Sequence, residues 1–143
     1  MARVRVGIPG HFAFSCSIPV RITDINYGGH LGNDTVLSII HEARMQFLRH
    51  HGYEELEFEK VGLIMSDVAI EFKSEVFYGD IIKASVAVGE FSKVGFDLVY
   101  KLEKDNNLGQ AIVALAKTGM VCFDYKKKKI LPLPPRAREK LFN

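Results

Sequence analysis

Between Asn33 and His50, Val36, Ile40, Ala43 and Phe47 recur at i, i+4, i+7 and i+11, with Leu37 and Leu48 beside them. Such a broad apolar stripe predicts one long amphipathic helix with a single buried face. After Gly62 the apolar period drops to two. A chain with one long helix and many strands has few ways to bury both. The stripe must lie on a sheet, and one helix covers only one face of it.

The strands follow from alternation. Residues 12 to 23 read as a first strand, with Phe12, Phe14, Cys16 and Ile18 on one face and Pro19 marking an edge or a bulge. Residues 63 to 73 form a second, with Ile64, Val68, Ile70 and Phe72 sharing a face interrupted by Ser66. "EVFYGD" turns the chain into a third over 81 to 91, carrying Ala84, Val86 and Val88. Phe96, Leu98, Tyr100 and Leu102 define a fourth, and "KDNNLG" has hairpin chemistry. Residues 110 to 125, "QAIVALAKTGMVCFDY", are apolar almost throughout, which predicts a central strand. Short hairpins imply an antiparallel meander of the last four strands. "LPLPPRAREKLF" ends the chain with a turn and a short helix. The fold class is α+β: one long helix wrapped by a five-stranded antiparallel sheet.

A chain of 143 residues fits one domain, 1–143, without internal repeats. Its net charge of +2 does not point to nucleic acid. Cys16 and Cys122 lie too far apart for a metal or redox motif, so no metal and no cofactor is expected. The start "MARVRVGIPGHFAF" lacks a signal-peptide core, and no apolar run reaches the roughly 20 residues of a membrane span. The expected place is the cytoplasm, with no membrane partner.

The chemistry gathers in "TDINYGGHLGND", Thr23 to Asp34, just before the helix. A helix start offers free N–H groups and a partial positive charge. Gly28, Gly29 and Gly32 let backbone approach a ligand. His30 is hard to explain as core in such a turn and stands as a base or donor. Asn33 or Asp34 serves as the helix cap or as a site residue. Asp24 is either a turn cap or an acid of the site.

Arg21, Asp24, Asn26, Gly29, His30 and Asn33, followed by "HEAR" with Glu42 and Arg44, resemble the R-x-x-D-x-D-x-x-G-H-x-x-N pattern of hotdog-fold acyl-CoA thioesterases of the 4-hydroxybenzoyl-CoA type. "FKSEVFYGDIIKASV", around Gly79 and Asp80, is similar to that family's strand, turn and strand segment. The resemblance runs from about Phe12 to Tyr125. It implies a hotdog fold, a thioester carbonyl near the Asn33 N–H, and hydrolysis of an acyl-CoA or acyl-carrier-protein thioester. One departure stands out: where the family's active enzymes carry the catalytic aspartate, this chain has Asn26.

An amide cannot act as general base or nucleophile. The acid then comes from Asp24, from Glu42 by analogy with a second hotdog branch, or from Asp67 across a subunit interface; otherwise the turn binds without hydrolysing. Glu42 also reads as an ion-pair partner of Arg44 or Arg21. Asp67 also reads as a solvent-facing strand residue. Lys126 and Lys127, in the run Lys126 to Lys129, read as a solvated strand end or as an anchor for coenzyme A phosphates. The uncovered sheet face predicts a homodimer or homotetramer with the site at the interface.

Overall fold

The computed structural model describes residues 3–106 and 109–142. The elements are β1 (Phe14–Pro19), a 3₁₀ turn (Ile22–Asp24), α1 (Asn33–His50), β2 (Gly62–Phe72), β3 (Ile81–Phe91), β4 (Gly95–Asn106), β5 (Gly109–Asp124), β6 (Lys129–Ile130) and α2 (Pro135–Phe142). All strand pairings are antiparallel, in the order β1-β3-β4-β5-β2, with the two-residue β6 added to the end of β5. The middle of the expected 104–109 hairpin, residues 107 and 108, lies outside the described residues.

The periodicities find their faces. Val36, Ile40, Ala43, Phe47 and Leu48 are buried in the core, as expected; Ile39 joins them, while Leu37 stays half-exposed. Phe96, Leu98, Tyr100 and Leu102 are buried opposite Ala84, Val86, Ala114, Ala116 and Thr118. α1 packs against β1 and β3. Pro19 closes β1, an edge strand where its missing N–H costs no ladder bond. Gly52 ends the helix region with φ +83°, a conformation that favours glycine.

Two expectations are corrected. The four strands after α1 do not form a simple meander: β2 pairs with β5, not with β3. β5 is long and apolar enough to take a partner along both edges, so residues 73 to 80 cross the sheet end instead of closing a hairpin. Val76 anchors that crossing in the core. The second correction concerns β2 itself. Its register with β5 slips between Met65 and Asp67, so Ser66 is a bulge residue. An extra residue exchanges the two faces of a strand. Val68, Ile70 and Phe72 therefore share the inner face with Leu63 and Met65, and Ile64 points the other way.

Candidate active site

The turn before α1 is built from its own polar groups. Asn26 and His30 close it, the Asn26 N–H donating to the His30 carbonyl at 2.9 Å. The Gly28 N–H donates to Asn26 Oδ1 at 2.9 Å. Gly29 takes φ +83°, which the bend requires. A Cβ on Gly28 would lie 3.3 Å from Asn26 Oδ1 and 3.6 Å from His30 Nε2, so glycine lets these two side chains approach. Leu31 then ties the turn to the crossing segment, its N–H donating to the Val76 carbonyl at 2.7 Å.

The turn delivers an open helix end. Gly32 is the N-cap of α1, in extended conformation, and among the described residues no side chain caps the helix. This corrects the expected capping role: Asn33 and Asp34 are the first two helical residues. Without a capping oxygen, the amides of the first turn keep their partial positive charge for a ligand.

The helix start borders a cleft of about 270 Å³ lined by His30, Leu31, Asn33, Val36, Phe72 and residues 73 to 76, with Val113. His30 Nδ1 lies 3.0 Å from the Leu31 carbonyl. A carbonyl only accepts, so Nδ1 donates, and Nε2 of the neutral ring is an acceptor. Leu31, Val36, Val76 and Val113 give the cleft apolar walls.

The candidate acids of the sequence lie elsewhere. Asp24 is buried, at 5% exposure, and both its oxygens are held: the Arg21 N–H donates to Oδ2 at 2.8 Å and Arg21 Nη2 to Oδ1 at 3.2 Å. Burial pushes this carboxyl up, but the Arg21 amide and guanidinium outweigh it and hold it below the ordinary range. Glu42 accepts from Gln46 Nε2 at 2.8 Å and lines a separate groove with Arg21, Asp24 and Ser38. Its expected ion pair does not form. Arg44 instead donates to Glu55 at 2.8 Å and lies buried beside the Tyr100 hydroxyl. Asp67 follows the bulge onto the outer face of the sheet, 57% exposed, where the Lys117 ammonium at 2.6 Å holds its carboxyl below the ordinary range.

Lys126 and Lys127 form the exposed turn between β5 and β6, their N–H groups donating to Asp124 Oδ1. The cleft touches β5 at Val113, thirteen residues away, or about 40 Å along an extended strand. The structure thus brings His30, Asn33 and the glycine turn together, and separates Asp24, Glu42, Asp67 and the lysines from them. Lys73, Ser74 and Glu75 line the cleft without having been singled out in the sequence. The available signal was the apolar run Val76 to Tyr78 in an otherwise polar connection, of which Val76 is the residue that packs into the core.

With this geometry established, comparison with known proteins decides the family. Residues 20–141 match the thioesterase-like superfamily. The chain belongs to that superfamily. A 1,4-dihydroxy-2-naphthoyl-CoA hydrolase from Microcystis aeruginosa is 32% identical over 118 residues, 80% of this chain and 83% of the relative. Among solved structures, a thioesterase superfamily protein from Jannaschia sp. CCS1 superposes with a TM-score of 0.82 at 16% identity, over 94% of this chain and 84% of that one. A 1,4-dihydroxy-2-naphthoyl-CoA thioesterase from Synechocystis gives 0.80 at 20% identity, over 91% and 96%. These neighbours share the hotdog arrangement of a long helix against an antiparallel sheet. The chemistry that goes with superfamily membership is thioester hydrolysis.

Proposed function

We propose that this protein hydrolyses an aromatic acyl-CoA thioester in the cleft at the start of α1. The uncapped helix end opening into an apolar-walled cleft is the observation that carries this reading. The thioester carbonyl oxygen accepts from the first-turn amides, beginning with Asn33. Negative charge grows on that oxygen as water adds, so fixed amides there stabilise the transition state more than the ground state. The acyl group lies along Leu31, Val36, Phe72 and Val113. His30 Nε2 orients the attacking water, while Asp24, Asn26, Gly28 and Gly29 hold the turn in shape. The aromatic preference draws on the 1,4-dihydroxy-2-naphthoyl-CoA hydrolase relative.

A second copy of the chain completes the site. The half-open inner face of β2, with Met65 and Val68 at 38% exposure and Phe72 at 49%, is an apolar strip at a sheet edge that favours a partner. The lysine turn at Lys126 and Lys127 serves as a phosphate anchor for this cleft only from a neighbouring copy.

The test is thiol release from a panel of aromatic and straight-chain acyl-CoA esters, together with acyl-carrier-protein esters. Aromatic esters are expected to give kcat/KM at least about tenfold above the others. The competing reading is an acyl-thioester-binding protein without turnover. Asn26, whose side-chain oxygen is engaged by the Gly28 amide, favours it. Tight acyl-CoA binding with no turnover on any ester would select that reading.

A further inference from the structure

Hydrolysis at this cleft requires a proton acceptor for the attacking water, and the family position for it holds an amide, Asn26. Asp24 has both oxygens engaged by Arg21. Glu42 lines a different groove, and Asp67 is paired with Lys117 on the outer sheet face. Asp34 lines a separate hollow with Leu37, His41 and Arg44. Among the described residues, Glu75 is the one carboxylate that lines the cleft with His30 and Asn33.

Its backbone is pinned on both sides. Before it, the Lys73 and Ser74 N–H groups donate to the Val113 carbonyl at 2.8 and 3.2 Å, and Ser74 Oγ donates to the Ile112 carbonyl at 2.7 Å. After it, Val76 is buried and its carbonyl takes the Leu31 N–H. Lys104 Nζ donates to the carbonyl of Glu75 itself. With Val76 committed to the core, the Glu75 side chain is left outside it, at the cleft. Asp24, Glu55 and Asp67 are each paired with a cation. No described residue holds the Glu75 carboxylate, although the chain around it is fixed.

We infer that Glu75 is the general base, replacing from the crossing segment the acid that the turn lacks; this rests on the hydrolase reading above. The Glu75 carboxylate takes a proton from water as the water oxygen bonds to the thioester carbon. The carbonyl π pair moves onto oxygen at the first-turn amides. The oxyanion then re-forms C=O, the C–S bond breaks with its pair on sulfur, and the thiolate recovers the proton from Glu75. The carboxylic acid product releases its own proton to solvent. No covalent enzyme intermediate is formed.

The experiment compares wild type, Glu75→Gln and Glu75→Asp on the best aromatic acyl-CoA of the panel, as kcat and KM across pH, with melting temperature measured in parallel. Glu75→Gln is expected to lower kcat about a hundredfold or more with KM within about threefold, and to remove the acid limb of the kcat profile. Glu75→Asp is expected to restore part of the rate, and neither variant to shift the melting temperature. Wild-type turnover with Glu75→Gln within threefold of it in kcat would overturn the role of Glu75 alone. Absence of wild-type turnover on every ester would overturn the hydrolase reading and this role with it.

Discussion

Asp24 shows how one residue can look catalytic in sequence and be structural in space. Its carboxyl is spent on the Arg21 amide and guanidinium, and nothing in a one-dimensional pattern distinguishes that from an acid poised for water. Replacing it with asparagine leaves a buried polar group badly matched to two donors. Asp24→Asn is expected to cost about 1–3 kcal/mol at pH 7, read by urea unfolding. The folded carboxyl lies below the ordinary Asp value of about 3.9, so the unfolded chain binds the proton more readily. Its contribution is full above about pH 4 and is lost as pH falls through the folded value, so the gap between wild type and variant closes in acid. Cys122 gives a second check. Burial pushes its thiol up to about 11, and burial followed by the Glu42 charge raises Cys16. A thiol reagent at pH 8 is expected to label Cys122 only after unfolding, followed by mass spectrometry of the labelled peptide; rapid native labelling of Cys122 would contradict its burial.

At the scale of elements, the helix and strands were legible because periodicity records burial directly. Phe96, Leu98, Tyr100 and Leu102 could belong to little else than a half-buried strand. What escaped was the pairing of β2. Strand partners are chosen by long-range packing, and the eight residues from Lys73 to Asp80 carry turn chemistry whether they close a hairpin or cross a sheet end. The Ser66 bulge escaped too, because one inserted residue has no compositional mark yet exchanges the faces on either side. Deleting Ser66 would force Leu63 and Met65, or Val68, Ile70 and Phe72, onto the wrong face, and loss of a cooperative thermal transition is expected. Gly95 is a second sensitive point. A Cβ there would lie 1.9 Å from the Met120 carbonyl oxygen, a backbone atom that cannot swing aside. Gly95→Ala is expected to destabilise by about 2–3 kcal/mol in urea unfolding, and a change below about 0.5 kcal/mol would contradict the tight β4–β5 approach.

For the whole molecule, the sheet order places the crossing segment beside the open end of α1, so the site joins the turn and helix start, the crossing segment with Glu75, and Val113 of β5, three separated stretches of chain. The turn and helix start were readable because their residues are contiguous. Glu75 was not, because a charged residue in a connection is usually just solvated and only β2–β5 pairing brings it to the cleft. The exposed inner strip of β2 predicts association: light scattering is expected to give at least twice the 16.1 kDa chain mass, and Val68→Glu to give the monomer with much reduced turnover. A monomeric wild type with full turnover would remove the partner from the site. The central claim is that the first-turn amides of α1 stabilise the thioester oxyanion, and Asn33→Pro, read against Asn33→Ala, tests it. Proline is well tolerated at the first position of a helix and removes the N–H there, Asn33→Ala is the reference for the side-chain amide lost with it, and the extended Gly32, with φ −70° and ψ 149°, suits a following proline. Steady-state thiol release from an aromatic acyl-CoA is expected to show kcat lowered about 10²–10³-fold with the melting temperature kept; an unchanged kcat in a folded Asn33→Pro protein would contradict an oxyanion site that depends on the Asn33 amide.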